Sequence, residues 1–290
     1  MTLHSRLATP SATRSYLAQW GLHTKKSLGQ HFLVDDGVVG KILRLADVRA
    51  NERVLEVGPG IGTLTLALLS QGAEVCAVEK DESLLVPLRE SLKDQAGLTL
   101  VSGDALAVLS DAARLPFMPH KLVANLPYAV AATVVLDCFE RLDGLASATV
   151  MVQREVAERM TAQPGSKDFG AYTVKLGLHA RHVGSFGVAR TSFLPPPRVN
   201  STVIRLERHD KTRSGAGELQ AAYLVAEAAF AQRRKTIRNS MAGYFMSHNM
   251  SSTLVDQLLE EAGIDPVIRG ETLSLDEFQA LAAAFVRLKT

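Results

Sequence analysis

Four short, mainly apolar runs in the first half of the chain alternate with stretches of helical spacing. The runs are VLEV, EVCAV, LTLV and KLVA. They lack the regular polar alternation of a strand with one face in water, and so they fit strands buried on both faces of a parallel sheet. The helical stretches between them indicate βαβ units. We therefore predict an α/β fold, in which helices cover both faces of a mostly parallel sheet.

The rest of the chain divides by composition. Two further strands are predicted at 172–188 and 201–209, on either side of the proline-rich stretch FLPPPRV, whose prolines cannot continue a strand ladder. The predicted segments are a basic N-terminal arm (1–24, partly helical or disordered), a main domain (25–208), a polar Gly-rich linker (209–217) and a small all-helical C-terminal domain (218–290).

Composition excludes several classes of protein. The 290 residues are 47% hydrophobic and 21% charged, which is typical of a globular protein. The sequence contains neither an apolar run long enough to cross a membrane nor the apolar core of a signal peptide near its start. Cys76 and Cys138 are too few, and too far apart, for a disulfide framework or a zinc site. We expect a cytoplasmic protein without a metal.

Basic residues are separated from acidic ones along the chain. Residues 1–34 and 230–241 contain four cations each and no acid, while 179–208 holds five arginines and one glutamate. The net charge is only +2, because the acids gather elsewhere, for instance in 254–277. Separated basic stretches in a nearly neutral protein suggest a polyanionic partner. Solvated helix faces are the alternative for any single stretch.

Three of the predicted strands end in residues that suit a ligand containing a nucleoside. The first ends in Gly58-Pro-Gly60-Ile-Gly62, whose glycines allow a tight turn and close approach of a ligand. A dinucleotide motif would need glycine at Thr63, and the observed G-x-G-x-G is typical of S-adenosylmethionine enzymes. The Glu79 carboxylate could accept hydrogen bonds from both ribose hydroxyls. Asp104 could accept a hydrogen bond from the adenine amine. An ordinary βαβ turn with surface acids and an NAD site remain as alternatives.

The fourth strand ends in Asn125-Leu126-Pro127-Tyr128, which resembles the Asn/Asp-Pro-Pro-Tyr/Phe motif of methyltransferases that act on adenine or cytosine amines. An exocyclic amine is a poor nucleophile because its lone pair is delocalised into the ring. The Asn125 amide oxygen and the carbonyl of Leu126 or Pro127 could accept its two N–H groups and favour the pyramidal, reactive form. Pro127 would stiffen the turn, and Tyr128 would stack on a base taken out of its helix. An ordinary turn is the alternative.

Eight motifs in order resemble the ribosomal RNA adenine N6-dimethyltransferase family, in particular its bacterial small-subunit branch. They are KKSLGQHFL, VLEVGPGIGTLT, VEKD, GDAL, NLPY, QREVAERM, FLPPPRVNSTVIRL and RRKTIRNSM. The resemblance extends from about residue 14 to the C-terminus. It implies a Rossmann-like class I S-adenosylmethionine-dependent methyltransferase with a mostly parallel seven-stranded sheet and a small helical C-terminal domain.

The resemblance also implies roles for individual residues. Phe193 would cover the second face of the flipped adenine, opposite Tyr128. Two positions depart from the family pattern, since the family usually has Asn at the position of His31 and Tyr at that of Phe169. The implied cofactor contacts are Gln30, His31, Leu33, Gly58, Gly60, Glu79, Asp104 and Asn125, and the implied RNA contacts are Lys25, Lys26, Arg198, Arg233, Arg234, Lys235 and Arg238.

The implied activity is dimethylation of the N6 amines of two adjacent adenines near the 3′ end of 16S rRNA. The expected partner is the small ribosomal subunit or its late assembly intermediate, with the enzyme acting as a monomer. Three other functions stay open: a 23S rRNA adenine methyltransferase of the antibiotic-resistance type, a non-catalytic assembly factor on the same fold, and a small-molecule methyltransferase.

Overall fold

The computed structural model describes residues 4–25, 28–210 and 216–289, which cluster into two compact units. One unit comprises residues up to 157 together with 182–208, and the other comprises 158–181 together with the chain from 209 onward. The strands are β1 (Phe32–Leu33), β2 (Arg53–Val57), β3 (Glu74–Glu79), β4 (Leu98–Ser102), β5 (Lys121–Asn125), β6 (Ser147–Gln153), β7 (Ala180–Val188), β8 (Phe193–Leu194) and β9 (Ser201–Arg208).

A seven-stranded sheet organises the first unit. Its strand order is β4-β3-β2-β5-β6-β9-β7, and the five strands from β4 to β6 run parallel to their neighbours. β9 pairs antiparallel with β6. The chain moves outward from β2 to β3 and β4, and then returns to the other side of β2 as β5. This reversal of direction places a crevice at the carboxyl ends of β2 and β5. The predicted α/β fold with a mostly parallel seven-stranded sheet is confirmed.

Helices pack on this sheet through side chains that are removed from water. Val54, Val75 and Val123 on three neighbouring strands have no exposed surface, nor do Ala67 and Leu68 of the helix that follows β2. Each buried valine or leucine contributes about 1.5–3 kcal/mol relative to exposure. The helices of this unit are α1 (Pro10–Gln19), α2 (Asp36–Ala46), α3 (Thr63–Ser70), α4 (Glu82–Ser91), α5 (Ala105–Leu109) and α6 (Ala131–Arg141).

The second unit is helical, and the chain enters it along α7 (Arg154–Met160). Ala222, Val225, Ala226 and Ala229 recur at helical spacing on one helix and are almost completely buried in a shared core. Phenylalanines and leucines from the other helices complete this core. Its helices are α8 (Ala171–His179), α9 (Ala216–Phe230), α10 (Ile237–Ser247), α11 (Thr253–Glu261) and α12 (Leu275–Lys289).

One predicted strand is wrong over its first half. Residues 172–179 were expected to be extended, but they belong to helix α8, and only the part from Ala180 onward forms a strand, β7. The alternating Val174, Leu176 and Leu178 imitate a strand, yet all three are buried in the helix. Val174 and Leu178 also lie one helical turn apart, and both join the helical core. Tertiary packing therefore overrides the local alternation.

The compact units also differ from the predicted domain boundaries. Residues 158–181, expected in the main domain, cluster with the helical unit. The described part of the 1–24 arm belongs to the sheet unit, where α1 begins after the cap Thr9 and buries Tyr16 beside Leu88. Of the predicted linker, residues 211–215 lie outside the described residues.

Two general expectations can be compared with the described part of the chain. None of its helices combines the length and the apolar character needed to cross a membrane. Its side chains form no group of three or more His, Cys, Asp or Glu that could hold a metal ion. Cys76 and Cys138 are both buried and unbonded to one another.

Candidate active site

A cavity of about 420 Å³ opens at the carboxyl ends of β2, β3, β4 and β5. The last residues of these strands, or those directly after them, supply part of its polar lining, including Glu79, Asp104 and Asn125. It is therefore the crevice that the strand order predicts. The predicted site residues that line this cavity are Gln30, His31, Leu33, Gly58, Gly60, Glu79, Asp104, Asn125, Leu126, Pro127 and Tyr128.

The glycine turn after β2 is shaped by left-handed backbone conformations. Gly58 and Gly60 have φ angles of 70° and 61°, which side chains other than glycine rarely adopt. A Cβ atom at Gly60 would lie 3.1 Å from the ring of Phe32, and one at Gly58 would lie 3.4 Å from Pro127. The glycines therefore bring the backbone close to the two walls of the cavity.

Glu79 is held by backbone groups on both oxygens. The N–H of Gly60 donates to Oε2 at 3.2 Å, and the N–H of Asp81 donates to Oε1 at 2.8 Å. The side chain is buried, and this burial raises its pKa although the backbone hydrogen bonds oppose the shift. The geometry fixes the carboxyl group in one orientation, with further lone pairs able to accept hydroxyl groups.

Asp104 stands at the start of α5, where its Oδ1 accepts the N–H of Leu106 at 2.9 Å as a helix cap. Its Oδ2 accepts a hydrogen bond from Lys80 Nζ at 2.9 Å. The hydrogen bond from Lys80 is the main cause that lowers the pKa of Asp104. This carboxylate is thus an ionised acceptor at the rim of the cavity.

Asn125 ends β5 with its amide oriented by a neighbouring segment. Its Nδ2 donates a hydrogen bond to the carbonyl oxygen of His31 at 3.2 Å. Because a carbonyl can only accept, this bond determines which end of the amide is nitrogen. The oxygen Oδ1 is then the atom of Asn125 that can accept an N–H from a ligand.

The turn after Asn125 distinguishes the carbonyls of Leu126 and Pro127, which the sequence left as alternative acceptors for the second N–H of the amine. The N–H of Val130 donates to the carbonyl of Pro127 at 3.1 Å, so this carbonyl already has a partner. Leu126 is buried, and its N–H donates to the carbonyl of Met151 at 3.1 Å. The turn is therefore anchored to β6, and the Leu126 carbonyl is the better candidate for the second acceptor.

The ring of Tyr128 is fixed at its hydroxyl and covered on one side. Its hydroxyl hydrogen-bonds to Ser201 Oγ at 2.8 Å. Burial raises the pKa of Tyr128, which keeps the phenol neutral. The imidazole of His31 stacks on the ring, with 5.8 Å between centroids and 27° between planes. The Tyr128 ring, held in this orientation, can stack on a planar base.

The N-terminal segment that carries His31 is tied to Asp81. Gln30 Nε2 donates to Asp81 Oδ2 at 2.7 Å, while Gln30 Oε1 accepts the backbone N–H of Lys25 at 2.8 Å. Leu33 is buried and pairs with Phe193 across β1 and β8. The amide of Gln30 is therefore used within the protein, and its part in the cavity is to hold the wall in place.

The structure places Phe193 away from the described cavity. This side chain is only 2% exposed, lies in the apolar core with residues such as Val203 and Met151, and does not line the cavity. Its assignment to the second face of the adenine stays a prediction. The sequence could not separate a core phenylalanine from a ligand-facing one.

Several predicted RNA contacts are already engaged in ion pairs. Lys25 pairs with Asp81 at 2.6 Å, Arg233 with Glu271 at 2.9 Å, and Arg238 binds both oxygens of Asp256. Residues 231–236 form turns between α9 and α10, whereas the basic run was expected on a helix. Arg198, Arg234 and Lys235 are exposed, and Lys26 lies outside the described residues.

Two acidic residues at the site were missed from the sequence. Glu56 lies within β2, is 1% exposed and lines the cavity, and its Oε2 has no hydrogen-bond partner among the described residues. Burial raises the pKa of Glu56 to about 8. The signal was an acid within an otherwise apolar strand. Asp81 could have been noticed as a helix cap directly after Glu79.

Comparison with known proteins shows to which family the chain belongs. A family model described as ribosomal RNA adenine dimethylase matches residues 21–281. The chain belongs to this family. Ribosomal RNA small subunit methyltransferase A of Leifsonia xyli subsp. xyli is 43% identical over 284 residues, which cover 96% of this chain and 98% of the relative. The protein of the same name from Corynebacterium jeikeium is 37% identical, with 97% of each chain covered.

Solved structures share the fold over most of the chain. A dimethyladenosine transferase from Plasmodium falciparum has a TM-score of 0.76 at 22% identity and covers 89% of this chain and 98% of its own. The 23S rRNA methyltransferase ErmE has a TM-score of 0.64 at 25% identity and covers 87% and 98%. As a ribosomal RNA adenine dimethylase, the chain is a class I rRNA methyltransferase that uses S-adenosylmethionine.

The residues of the cavity fit that methyl donor. The glycine turn leaves open a space that a Cβ would fill, and the Glu79 carboxyl is held where a ribose hydroxyl could donate to it. Asp104 offers an ionised acceptor for an adenine amine. The unpartnered, buried Glu56 oxygen adds a polar atom that a ligand could satisfy.

Proposed function

We propose that the chain dimethylates the N6 amines of two adjacent adenines near the 3′ end of 16S rRNA. The observation that carries this proposal is the orientation of Asn125, whose amide nitrogen is bound to the His31 carbonyl in the cavity that also holds Glu79 and Asp104. The near full-length relatives named small subunit methyltransferase A support the choice of RNA.

The protein's part in the reaction is to polarise and align the amine. S-adenosylmethionine, when bound, supplies an activated methyl group. Asn125 Oδ1 accepts one N–H of the adenine amine, and the Leu126 carbonyl accepts the other. Two fixed acceptors favour the pyramidal amine, and they are already oriented before charge develops. Tyr128 holds the base by stacking, so the reacting atoms are aligned without a strong base. The amine proton leaves to solvent after transfer.

The helical unit and the exposed cations are proposed to hold the RNA backbone. Arg198, Arg234 and Lys235 are exposed predicted contacts outside the ion pairs described above. Cations of this kind bind phosphates and set the register of the protein on RNA without selecting a base. The substrate would be the small subunit or its late assembly intermediate, and the enzyme would act in the cytoplasm, as a monomer and without a metal.

Site-specific labelling tests this function. The protein is incubated with labelled S-adenosylmethionine and, in parallel, with immature small subunits, large subunits and protein-free 16S rRNA. Primer extension then locates the methylated adenines. We expect stops at two adjacent adenines near the 3′ end of 16S rRNA in small subunits. Label confined to the large subunit would support the alternative that the likeness to ErmE favours. Absence of label from every RNA would indicate a non-catalytic assembly factor.

A further inference from the structure

We propose that Arg190 and Arg198 bind the RNA phosphates that flank the target adenosine, and that the segment 189–200 holds both arginines beside the cavity. This inference rests on the proposed function, because it assumes that an adenosine enters the cavity beside Asn125. It adds Arg190 to the RNA contacts expected from the sequence, and it gives Arg198 a defined place on the substrate.

The segment 189–200 ends at the same edge of the sheet as the target amide. β9 runs antiparallel to β6, so its first residue, Ser201, lies opposite Gln153, the last residue of β6. β6 runs parallel to β5, and its Met151 lies opposite Asn125 at the end of β5. Neighbouring strands lie about 4.8 Å apart. The start of β9 is therefore two strand spacings, or about 10 Å, from the end of β5.

Two hydrogen bonds fasten this segment to residues that line the cavity. The carbonyl of Pro195 accepts a hydrogen bond from His31 Nδ1 at 2.8 Å. Ser201, directly after the segment, shares a hydrogen bond of 2.8 Å with the Tyr128 hydroxyl. His31 and Tyr128 both line the cavity. Because the segment is held at its centre and at its end, it loses little conformational freedom when it binds RNA.

Asn200 brings the backbones of the two arginines together. Its Oδ1 accepts the backbone N–H of Arg190 at 3.2 Å, and Arg198 precedes it by two residues. Two Cα–Cα steps span at most about 7.6 Å, so both arginines begin close to Asn200. The carbonyl of Asn200 accepts the N–H of Arg154, the first residue of α7, at 3.1 Å. Asn200 thus anchors the two arginines to the end of β6.

The charges of this segment suit a phosphate ligand. Its sequence, ARTSFLPPPRVN, contains two arginines and no acid. Both arginines are exposed, and neither has an acidic partner among the described residues. Asp35 contacts the segment, but its oxygens accept the Ser192 hydroxyl and the N–H of Val38. A guanidinium binds phosphate through two parallel N–H groups, and such contacts fix the register of the RNA without reading its bases.

The salt dependence of RNA binding tests the charge of the two arginines. A single-stranded RNA that carries the target adenines is titrated with protein saturated with S-adenosylhomocysteine, from about 50 to 200 mM salt. Arg190→Gln combined with Arg198→Gln should reduce the slope of log K against log salt by about 1.4, or 0.7 for each phosphate. Arg190→Lys combined with Arg198→Lys keeps both charges and should keep the wild-type slope. Arg89→Gln, at an exposed arginine of α4, which packs beside β3 and β4, is the matched control.

Phosphate footprinting tests the position of the contact. Unmethylated particles of the RNA that wild type labels are treated with ethylnitrosourea, with and without protein saturated with S-adenosylhomocysteine. Wild type should protect the phosphates on either side of the target adenines. The double glutamine variant should lose this protection while it keeps protected phosphates elsewhere. Arg89→Gln should give the same footprint as wild type.

Calorimetry should give every variant the wild-type affinity for S-adenosylmethionine. The inference is overturned by flanking phosphates that stay unprotected in wild type, by an unchanged slope or footprint in the double glutamine variant, by an equal loss in the double lysine variant or in Arg89→Gln, or by loss of cofactor affinity. The labelled RNA is identified separately with wild type, and the footprint is made on that RNA. Failure of the 16S rRNA assignment is therefore distinguished from failure of the arginine assignment.

Discussion

Lys25 and Asp81 form an ion pair with 2.6 Å between Nζ and Oδ1, and this pair joins the N-terminal segment to the strand end that carries Glu79. The other oxygen of Asp81 accepts the Gln30 amide, and the Asp81 backbone N–H holds Glu79. Burial raises the pKa of Asp81, but the hydrogen bonds from Lys25, Ser83 and Gln30 outweigh it and hold the pKa below its usual value. Asp81 thus connects the wall of the cavity with Glu79, the acid proposed to bind the ribose.

Replacing Asp81 should weaken cofactor binding although this side chain lies behind the predicted contacts. Asp81→Asn keeps the size and the backbone N–H but loses the charge that holds Lys25. A hydrogen bond to a charged group is worth about 1.5–3 kcal/mol, so we expect the Kd for S-adenosylmethionine to rise about tenfold. Calorimetry measures this change. Lys93→Met, which removes an exposed cation in a 3.9 Å pair, is the control, and equal affinities for both variants would contradict the prediction.

Glu56 should make folding stability depend on pH. Its carboxyl ionises near pH 4.5 in the unfolded chain and near pH 8 in the folded protein, mainly because of burial. Between these values the folded state holds a proton that the unfolded state lacks, so raising the pH favours unfolding. The free energy of unfolding should fall by at most about 1.4 kcal/mol per pH unit between these two pH values, and should not fall further above them.

The variant Glu56→Gln isolates this contribution because glutamine cannot ionise. Denaturant unfolding without cofactor, repeated across this pH window, should show a flatter profile for Glu56→Gln than for wild type. Glu82→Gln, at an exposed position in the first turn of α4, should leave the wild-type slope unchanged. Parallel profiles for wild type and Glu56→Gln would refute the assignment.

Replacing Gly60 with alanine should disturb the cavity by more than the backbone strain of the left-handed position explains. Alanine at a left-handed position costs about 1 kcal/mol of stability. At Gly60 the added Cβ would also meet the Phe32 ring at 3.1 Å. Gly263→Ala, at a φ of 67° and with no atom within 4 Å, is the matched control. Thermal unfolding should show similar losses of stability for Gly60→Ala and Gly263→Ala. Only Gly60→Ala should lower the affinity for S-adenosylmethionine.

Asn125→Ala should lower turnover while leaving cofactor binding nearly intact. Loss of one preorganised acceptor costs about 10²–10³ in kcat by analogy with oxyanion-hole donors. Single-turnover methylation and calorimetry measure the two quantities separately. Tyr128→Phe keeps the ring and loses only the bond to Ser201, so its turnover should fall far less. Equal loss of turnover and cofactor affinity in Asn125→Ala would remove the amide from the proposed mechanism.

Cations that have no acidic partner among the described residues should contribute most to the salt dependence of RNA binding. Arg234→Gln combined with Lys235→Gln should reduce the slope of log K against log salt by about 1.4, or 0.7 for each phosphate of a single strand. Arg238→Gln is the control, because Arg238 binds Asp256 through two hydrogen bonds. Filter binding from about 50 to 200 mM salt gives the slopes. An equal change in Arg238→Gln would show that this pair opens on RNA.

The sheet and the ends of its strands could be predicted from the sequence, because buried parallel strands and the turns after them have local signatures. Gly58, Glu79, Asp104 and Asn125 all lie in the predicted cavity for this reason. Helix α8 could not be predicted, since its alternating apolar residues fit a strand until the core of the helical unit is known.

Contacts between residues far apart in the sequence account for the remaining differences between the predicted and the observed site. The distance of 56 residues between Lys25 and Asp81 hides the ion pair that gives this exposed lysine an acidic partner. Phe193 and His31 are both aromatic residues in motifs of the family, and only packing shows that the first is in the core and the second is beside Tyr128.

The short pairing of β1 with β8 has a consequence for synthesis of the protein. Phe32 lines the donor cavity and lies opposite Leu194, so the strand that carries this wall residue pairs with a residue made 162 positions later. A nascent chain that ends before this point has the glycine turn and both acids, yet lacks the strand that secures the wall. Because chains fold from the N-terminus during translation, donor binding should begin only after β8 has left the ribosome. Each new molecule should thus capture the donor only when nearly its whole catalytic unit has been made.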